Sequence, residues 1–492
     1  FLDDAEHRGL SELLGNPQTL KMLAEVVSKS GWPSTRSELF EQAVKVLLTE
    51  TNKGASQKKQ GRYSASELMQ VAGEMCAVRL IGDIQAISLN ESDEAADIPS
   101  YRTLSCGDSD KLVAALGRRV FTATSAPDTV DYAHRVIAEY LAAWWLSEKV
   151  RAGLPIGRVR ALVGVDGRPA TELRGLHAWL AVKLPEHAEL LINADPFGVL
   201  TYADARALTP TNRKKLLRAL ANLADMDPWF REGHWTSSSL AGLAGADMVE
   251  DFRSILTSTS PNFSLRMLVL DSLAVGQPVP QLSIELISIV KNANAVYAER
   301  SSAVDALIYM GDASITAVAG AYQDMGALED DLRLKAELFK RLGGAELRAN
   351  LLPKLLFEIL TTKARASFDV IYGVSASVPD QEVGCTLDQL VISLEHLPDE
   401  SVREGVWSFE SEFDRLLFRA LQIETELEGV RLISWLECRK KVANLFGDSR
   451  AQEVHTQLAA HPEIAKRGIT AALKALKDEE NIWAFTHRLR EI

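Results

Sequence analysis

From about residue 151 onward the chain is a succession of helical segments of middling length, separated by short Gly, Pro, Asp or Asn breaks. Three segments share a template. "SLRMLVLDSLAVG", "ERSSAVDALIYMG" and "DLRLKAELFKRLG" each carry an arginine, a stripe of small or apolar residues and a closing glycine. The arginines are Arg266, Arg300 and Arg333, so the steps are 300 − 266 = 34 and 333 − 300 = 33 residues. The stretches around Arg213 and Arg403 follow the template less closely. A helix pair of this length cannot bury its apolar face alone and must stack on its neighbours. The expectation is an irregular HEAT-like α-solenoid over residues 151–492, inside a mainly α protein.

The 492 residues exceed what one ordinary core accommodates. A composition of 47% hydrophobic and 25% charged residues is that of a folded chain. The formal charge of −13 gives no electrostatic case for nucleic acid. Cys76, Cys106, Cys385 and Cys438 form no C-x-x-C pair, so four buried thiols in a reducing compartment are expected, without disulfides or a zinc site. No apolar run approaches the ~18 residues that cross a membrane. The acidic start "FLDDAEHRGL" lacks the form of a signal peptide, which points to the cytoplasm. It begins at Phe1 rather than Met, which reads as a piece of a longer chain.

Residues 1–62 read as a small helical domain. Asn16 can cap a helix whose first turn holds Pro17, where a missing N–H costs nothing. Thr35 and Glu38 form a capping box for the next helix, whose Leu39, Val46 and Leu47 lie near one face. "NKGASQKKQGR" reads as a solvated basic loop. Residues 63–150 read as a winged-helix-like domain. A helix over "SASELMQVAGEMCAVRLIG" and a short one capped by Asp108 or Ser109 precede two β-rich runs, "RVFTATS" and "TVDYAH", joined at Ala126-Pro127-Asp128 as a hairpin. A helix from His134 to about Val150 closes the domain, with Arg135 and Glu139 spaced to pair.

His134 stands where strand gives way to helix. It can cap its own helix, which spacing alone favours, or add a donor to an anion at the helix N-terminus. Trp144 and Trp145 cannot face the same way, so one is expected in the core and the other against the solenoid or a missing domain. In "DPWFREGHWTSS" (227–238) the aromatics either plug a gap between repeats, the favoured reading, or form a binding surface with Arg231. Glu329-Asp330-Asp331 and Glu479-Glu480 are expected on solvated faces or at helix starts. No Ser-His-Asp or Cys-His arrangement can be argued from spacing.

"GNPQTLKMLAEVVSKSGWPSTRSELFEQAVKVLL" resembles the segment that follows the ATPase core in NACHT-type STAND proteins. "VDYAHRVIAEYLAAWWL" is similar to the end of their winged-helix domain. Together these cover roughly residues 10–150. "ADPFGVLTYADARALTPTNRKKLLRALANLADMDPWF" resembles, more softly, the start of the C-terminal helical region in bacterial members. The resemblance implies a nucleotide-controlled switch, often in antiphage defence, with an N-terminal effector, a P-loop ATPase in cis and a repeat sensor. A trigger, such as a phage protein, binds the sensor; ATP replaces ADP and the protein assembles into a homo-oligomer. It further implies that His134 contacts the β-phosphate of ADP and that Pro17 packs on adenine.

The chain departs from that plan in having no G-x-x-x-x-G-K-[ST] and no acidic Walker B strand. The cradle for phosphates is therefore missing, and neither ATP hydrolysis nor bound ADP or ATP is expected of this chain alone. The expected function is that of the regulatory and sensor portion of such a switch, binding a protein trigger and no membrane. The rival is a free-standing α-solenoid scaffold with no nucleotide dependence. A hidden enzyme in the helical region has no motif to support it.

Overall fold

The computed structural model describes residues 1, 4–5, 17–33, 35–49, 63–92, 95–105, 107–231, 238–259, 262–326, 328–341, 351–352, 354–358, 373–395, 406–423, 426–443 and 451–475. The protein is mainly α. It divides into two compact units, Phe1–Leu286 and Ile287–Ile492.

The first unit opens with α1 (Pro17–Ser30) and α2 (Arg36–Thr49). Thr35 caps α2 as expected, its Oγ1 accepting the Glu38 N–H at 3.1 Å. Leu39, Phe40, Ala43, Val44, Leu47 and Leu48 bury one face of α2, while Val46 is only half-buried. Asn16 and the basic loop lie outside the described residues.

Then come α3 (Ala65–Ile81), β1 (Ile87–Ser88), α4 (Tyr101–Leu104), α5 (Ser109–Leu116), β2 (Phe121–Ala123), β3 (Thr129–Tyr132) and α6 (Arg135–Arg151). Asp108 caps α5, accepting the Asp110 N–H at 2.9 Å. The hairpin β2–β3 forms where the sequence places it, with Asp128 at φ 50° in its turn. A third strand was not expected: Ile87 pairs with Val130 and Ser88 with Thr129, giving an antiparallel sheet in the order β1–β3–β2. Helix, strand, two helices and a closing hairpin in this sheet order make a winged-helix arrangement.

The spacing of α6 suggests one face of Val136, Tyr140 and Ala143 with Ile137, Leu141 and Trp144 beside them, but the helix is buried almost all round from Ile137 to Ala143, while Val136 and Trp144 are half-buried. It packs on α3 at Gly73, where a Cβ would stand 2.8 Å from Trp145 Cβ and 2.9 Å from the Leu141 carbonyl oxygen. It also packs on α8 (Arg174–Lys183). The expected boundary at residue 150 is therefore bridged by a shared core: the Tyr140 and Trp179 rings meet edge to face at 5.0 Å, and Phe40 of α2 joins them at 5.8 and 5.3 Å.

After α6 run α7 (Ile156–Val163) and a two-residue hairpin, β4 (Gly164–Val165) and β5 (Arg168–Pro169). The Asp166-Gly167 turn, at φ 52° and 81°, has the left-handed backbone such a hairpin requires. The unit continues through α8, α9 (Ala188–Ala194), α10 (Pro196–Tyr202), α11 (Pro210–Met226), α12 (Val249–Leu256) and α13 (Phe263–Val275). The division between units falls within α14 (Ser283–Lys291).

The second unit contains α15 (Tyr297–Tyr309), α16 (Asp312–Asp324), α17 (Glu329–Arg341), α18 (Val383–Glu395), α19 (Val406–Ile423), α20 (Gly429–Ala443), α21 (Ala451–Ala460) and α22 (Pro462–Ala475). Here α15 touches α16 and α17, α18 touches α19 and α20, and α19, α20 and α21 each reach onward to the next helices. Such near-neighbour packing is that of stacked helical repeats.

The recurring arginine has a physical role. Arg213, Arg266 and Arg300 are each the fourth residue of their helix. Each donates backwards to a carbonyl that ends the preceding turn or helix: Arg206 at 3.2 Å, Ser258 at 2.7 Å and Val290 at 2.9 Å. Arg213 and Arg300 also pair forwards, with Asp247 at 2.9 Å and Asp331 at 2.6 Å. Arg333 does not continue the series. It is exposed and lies over the Tyr297 ring at 4.0 Å. The buried cation is Lys335, 335 − 300 = 35 residues on, paired with Glu358 at 2.6 Å. Glu329-Asp330-Asp331 form the first turn of α17, the helix-start alternative of the expectation, but Asp331 is not solvated: it is 1% exposed and paired with Arg300. Arg403 and Glu479-Glu480 lie outside the described residues.

Candidate functional site

His134 is the N-cap residue of α6, with extended backbone (φ −143°, ψ 121°). Ala133 N–H donates to the Val120 carbonyl at 2.8 Å, which ties the end of the wing to the start of the helix. The His134 ring makes no hydrogen bond to its own helix, so the self-capping reading does not hold. Its side chain is half-buried.

Arg119, in the turn between α5 and β2, is the residue the sequence reading missed. It pairs with Glu25 of α1 at 3.3 Å, and its charge reaches His134. Burial, and then Arg119, hold the His134 imidazole below its ordinary pKa, so it is uncharged at neutral pH. Here the N-terminus of a 17-residue helix carries a histidine that lies within the field of an arginine. That combination of donors and positive potential is chemically suited to an anion.

Pro17 is the exposed first residue of α1. Glu25, the tie between α1 and Arg119, lies eight residues farther along, a rise of about 12 Å. The structure thus connects the helix of Pro17 to the surroundings of His134 through Glu25 and Arg119, without setting the two expected residues side by side.

One turn into α6, Glu139 is buried and accepts from Arg135 Nε at 3.0 Å, the pairing its spacing predicts. Burial pushes its carboxyl above the usual range, against the pull of Arg135 and Arg36. Arg135 also donates to the Glu172 carbonyl, which holds the first turn of α6 against the entry to α8. Neither member of the Trp144–Trp145 pair is fully core: both are half-buried, with Trp145 against Gly73 and beneath the Lys149 ammonium at 5.1 Å.

The aromatic run at 227–238 splits. Phe230 meets Phe197 edge to face at 5.4 Å and the buried Arg231 pairs with Asp271 at 2.7 Å, as gap-filling residues do. Trp229 is 72% exposed. His234 and Trp235 lie outside the described residues. Cys76 and Cys438 are buried free thiols; Cys385, contrary to expectation, is exposed, and Cys106 is outside the described residues. Burial raises the Cys76 thiol, which keeps it protonated and inert.

Among the described residues no three His, Cys, Asp or Glu side chains are grouped to hold a metal ion, and no helix is long and apolar enough to cross a membrane. Comparison of the chain with protein-family models, with curated proteins and with solved structures found no match.

Proposed function

We propose that the chain is the regulatory and sensor portion of a cytoplasmic nucleotide-controlled switch of the NACHT-type STAND kind. One observation carries this reading: His134, the N-cap of α6 at the junction of wing and helix, makes no capping bond to its own helix and feels the charge of Arg119. These are donors a phosphate fits, and a polyanion there would restore the proton that burial and Arg119 disfavour. The nucleotide, ADP in the resting state and ATP in the active one, belongs to an NTPase domain in cis, since the chain has no P-loop. His134 donates to its β-phosphate, and Pro17 offers a rigid apolar face to adenine.

The rest of the chain supports a binding role. Its stacked helices present extended surfaces suited to a protein trigger, and its −13 charge disfavours nucleic acid. The winged-helix unit and α8 share the Tyr140–Trp179 core, so a trigger bound to α8 has a packed route to α6, the helix that His134 caps. The activated parent assembles into a homo-oligomer; the chain itself hydrolyses no ATP.

The test is made on the chain joined to its upstream NTPase domain. ADP that survives gel filtration is quantified for wild type and His134→Ala. The expected result is a loss of retained ADP of tenfold or more with the fold intact by circular dichroism. Equal ADP content in the two proteins overturns the reading. A coding sequence without any P-loop upstream of Phe1 would favour the free-standing scaffold instead.

A further inference from the structure

We infer that the C-terminal end of α11 and the start of α13 form a preorganised docking edge for a protein segment that presents an arginine or lysine beside an apolar side chain. The two helix ends are tied together twice. Asn262, the N-cap of α13, donates from Nδ2 to the Ala224 carbonyl at 2.8 Å, and Ser264 Oγ donates to the Pro228 carbonyl. These bonds gather three exposed apolar side chains: Met226 at 78%, Trp229 at 72% and Phe263 at 40% exposure.

The edge is exposed yet fixed. Asp227 Oδ1 accepts the Trp229 N–H at 3.0 Å, and the Phe230 N–H returns to the Asp227 carbonyl at 3.1 Å. On the inner side Phe230 is wedged against Phe197, and Arg231 is locked to Asp271. Trp229 is thus held outward by a turn anchored on both sides. A Trp whose backbone is already fixed has only two side-chain torsions left to order on binding, which favours it as an aromatic hot spot.

Charge selects the occupant. Asp225 and Asp227 flank Met226, both are exposed, and the C-terminal carbonyls of α11 add negative potential. No lysine or arginine occurs from residue 219 to 230. The next cation back along α11, Arg218, lies about 12 Å of helix from Met226. Arg266 of α13 is buried and turned to the Ser258 carbonyl. An indole next to the Asp227 carboxylate, with Asp225 at the same helix end, suits a guanidinium or ammonium lying over the ring, while Met226 and Phe263 cover the neighbouring apolar group. The surface needs no nucleotide and stands apart from the His134 reading.

The test uses the full chain without nucleotide. Phage-displayed random 12-residue peptides are selected in parallel on wild type and on Trp229→Ala, and an enriched peptide is titrated by fluorescence anisotropy. Peptides enriched on wild type alone should combine Arg or Lys with Leu, Met or an aromatic residue. Trp229→Ala should weaken the chosen peptide tenfold or more. Asp225→Asn with Asp227→Asn should weaken it several-fold and flatten its salt dependence. All three positions are exposed, so unfolding curves should be unchanged. Any of three results overturns the proposal: the same peptides recovered on Trp229→Ala, enrichment of acidic or uncharged sequences, or sedimentation showing self-association that Trp229→Ala abolishes, which would assign the edge to a second copy.

Discussion

Asp204 accepts the backbone N–H of Ser37 at 2.9 Å across 167 residues of sequence. Its other oxygen accepts the Arg206 N–H at 3.0 Å, so one buried carboxylate serves two chain starts at once. One is the first turn of α2 and the other the short turn before α11. Asp204→Ala removes both acceptors and leaves two donors unpaired, and the loss should be about 2 kcal/mol. Ser37→Ala keeps the backbone donor to Asp204 and gives up only the hydroxyl's hydrogen bond with Tyr140, so it should cost less than Asp204→Ala. Urea unfolding of the two variants checks the contrast; equal losses would rule out the cap as the cause.

Two glycines in helices should respond oppositely to alanine. At Gly73 a methyl group meets the Trp145 Cβ and a backbone oxygen, neither of which can swing away. Gly73→Ala should therefore destabilise by about 1–3 kcal/mol despite the better helix propensity. Gly157 in α7 has nothing within 4 Å of its would-be Cβ. Gly157→Ala should stabilise by about 0.5–1 kcal/mol. Thermal unfolding reads both signs.

Arg300 and Asp331 are each 1% exposed and pair at 2.6 Å. Arg300→Ala strands a buried carboxylate and should cost about 3–5 kcal/mol. Replacing both by apolar residues, as in Arg300→Met with Asp331→Leu, should cost less than the single change, because no charge is left unpaired. A double variant as unstable as the single one would show that the bond to Val290, rather than the ion pair, dominates.

His134 and His177 both have folded pKa values below the ordinary 6.5, chiefly from burial; His177 also donates from Nε2 to the Leu191 carbonyl at 2.9 Å. The unfolded chain therefore binds more protons below pH 6.5, and stability should fall as pH drops through that value. Glu139 acts with the opposite sign, because its raised pKa lets the folded state take up a proton first. The difference in Tm between pH 7.5 and 5.5 should shrink in His134→Ala and in His177→Asn. An undiminished difference in both would assign the acid loss to other groups.

Local signals were legible in the sequence. The Thr35 cap of α2, the Asp108 cap of α5, the Ala126-Pro127-Asp128 turn and the Arg135–Glu139 pair are all set by residues within a few positions of one another. The Asp166-Gly167 hairpin is equally local, but strands of two residues are too short to show an alternation. His134 could be placed at its junction, but Arg119 could not be joined to it. That juxtaposition depends on how the turn before β2 folds back on α6, and no spacing encodes it.

The sequence by itself determined a mainly α chain, a wing, the helix starts and a recurring arginine, because propensity, capping and turn geometry act over a few residues. Only the tertiary structure decided that β1 joins the wing, that Asp204 reaches Ser37, that Lys335 rather than Arg333 is the buried cation, and that Trp229 faces outward while Phe230 faces in. Each of these is a choice of partner between segments far apart in the chain. Several partners satisfy the same local pattern, and packing favours the one that pairs buried charges and backbone groups.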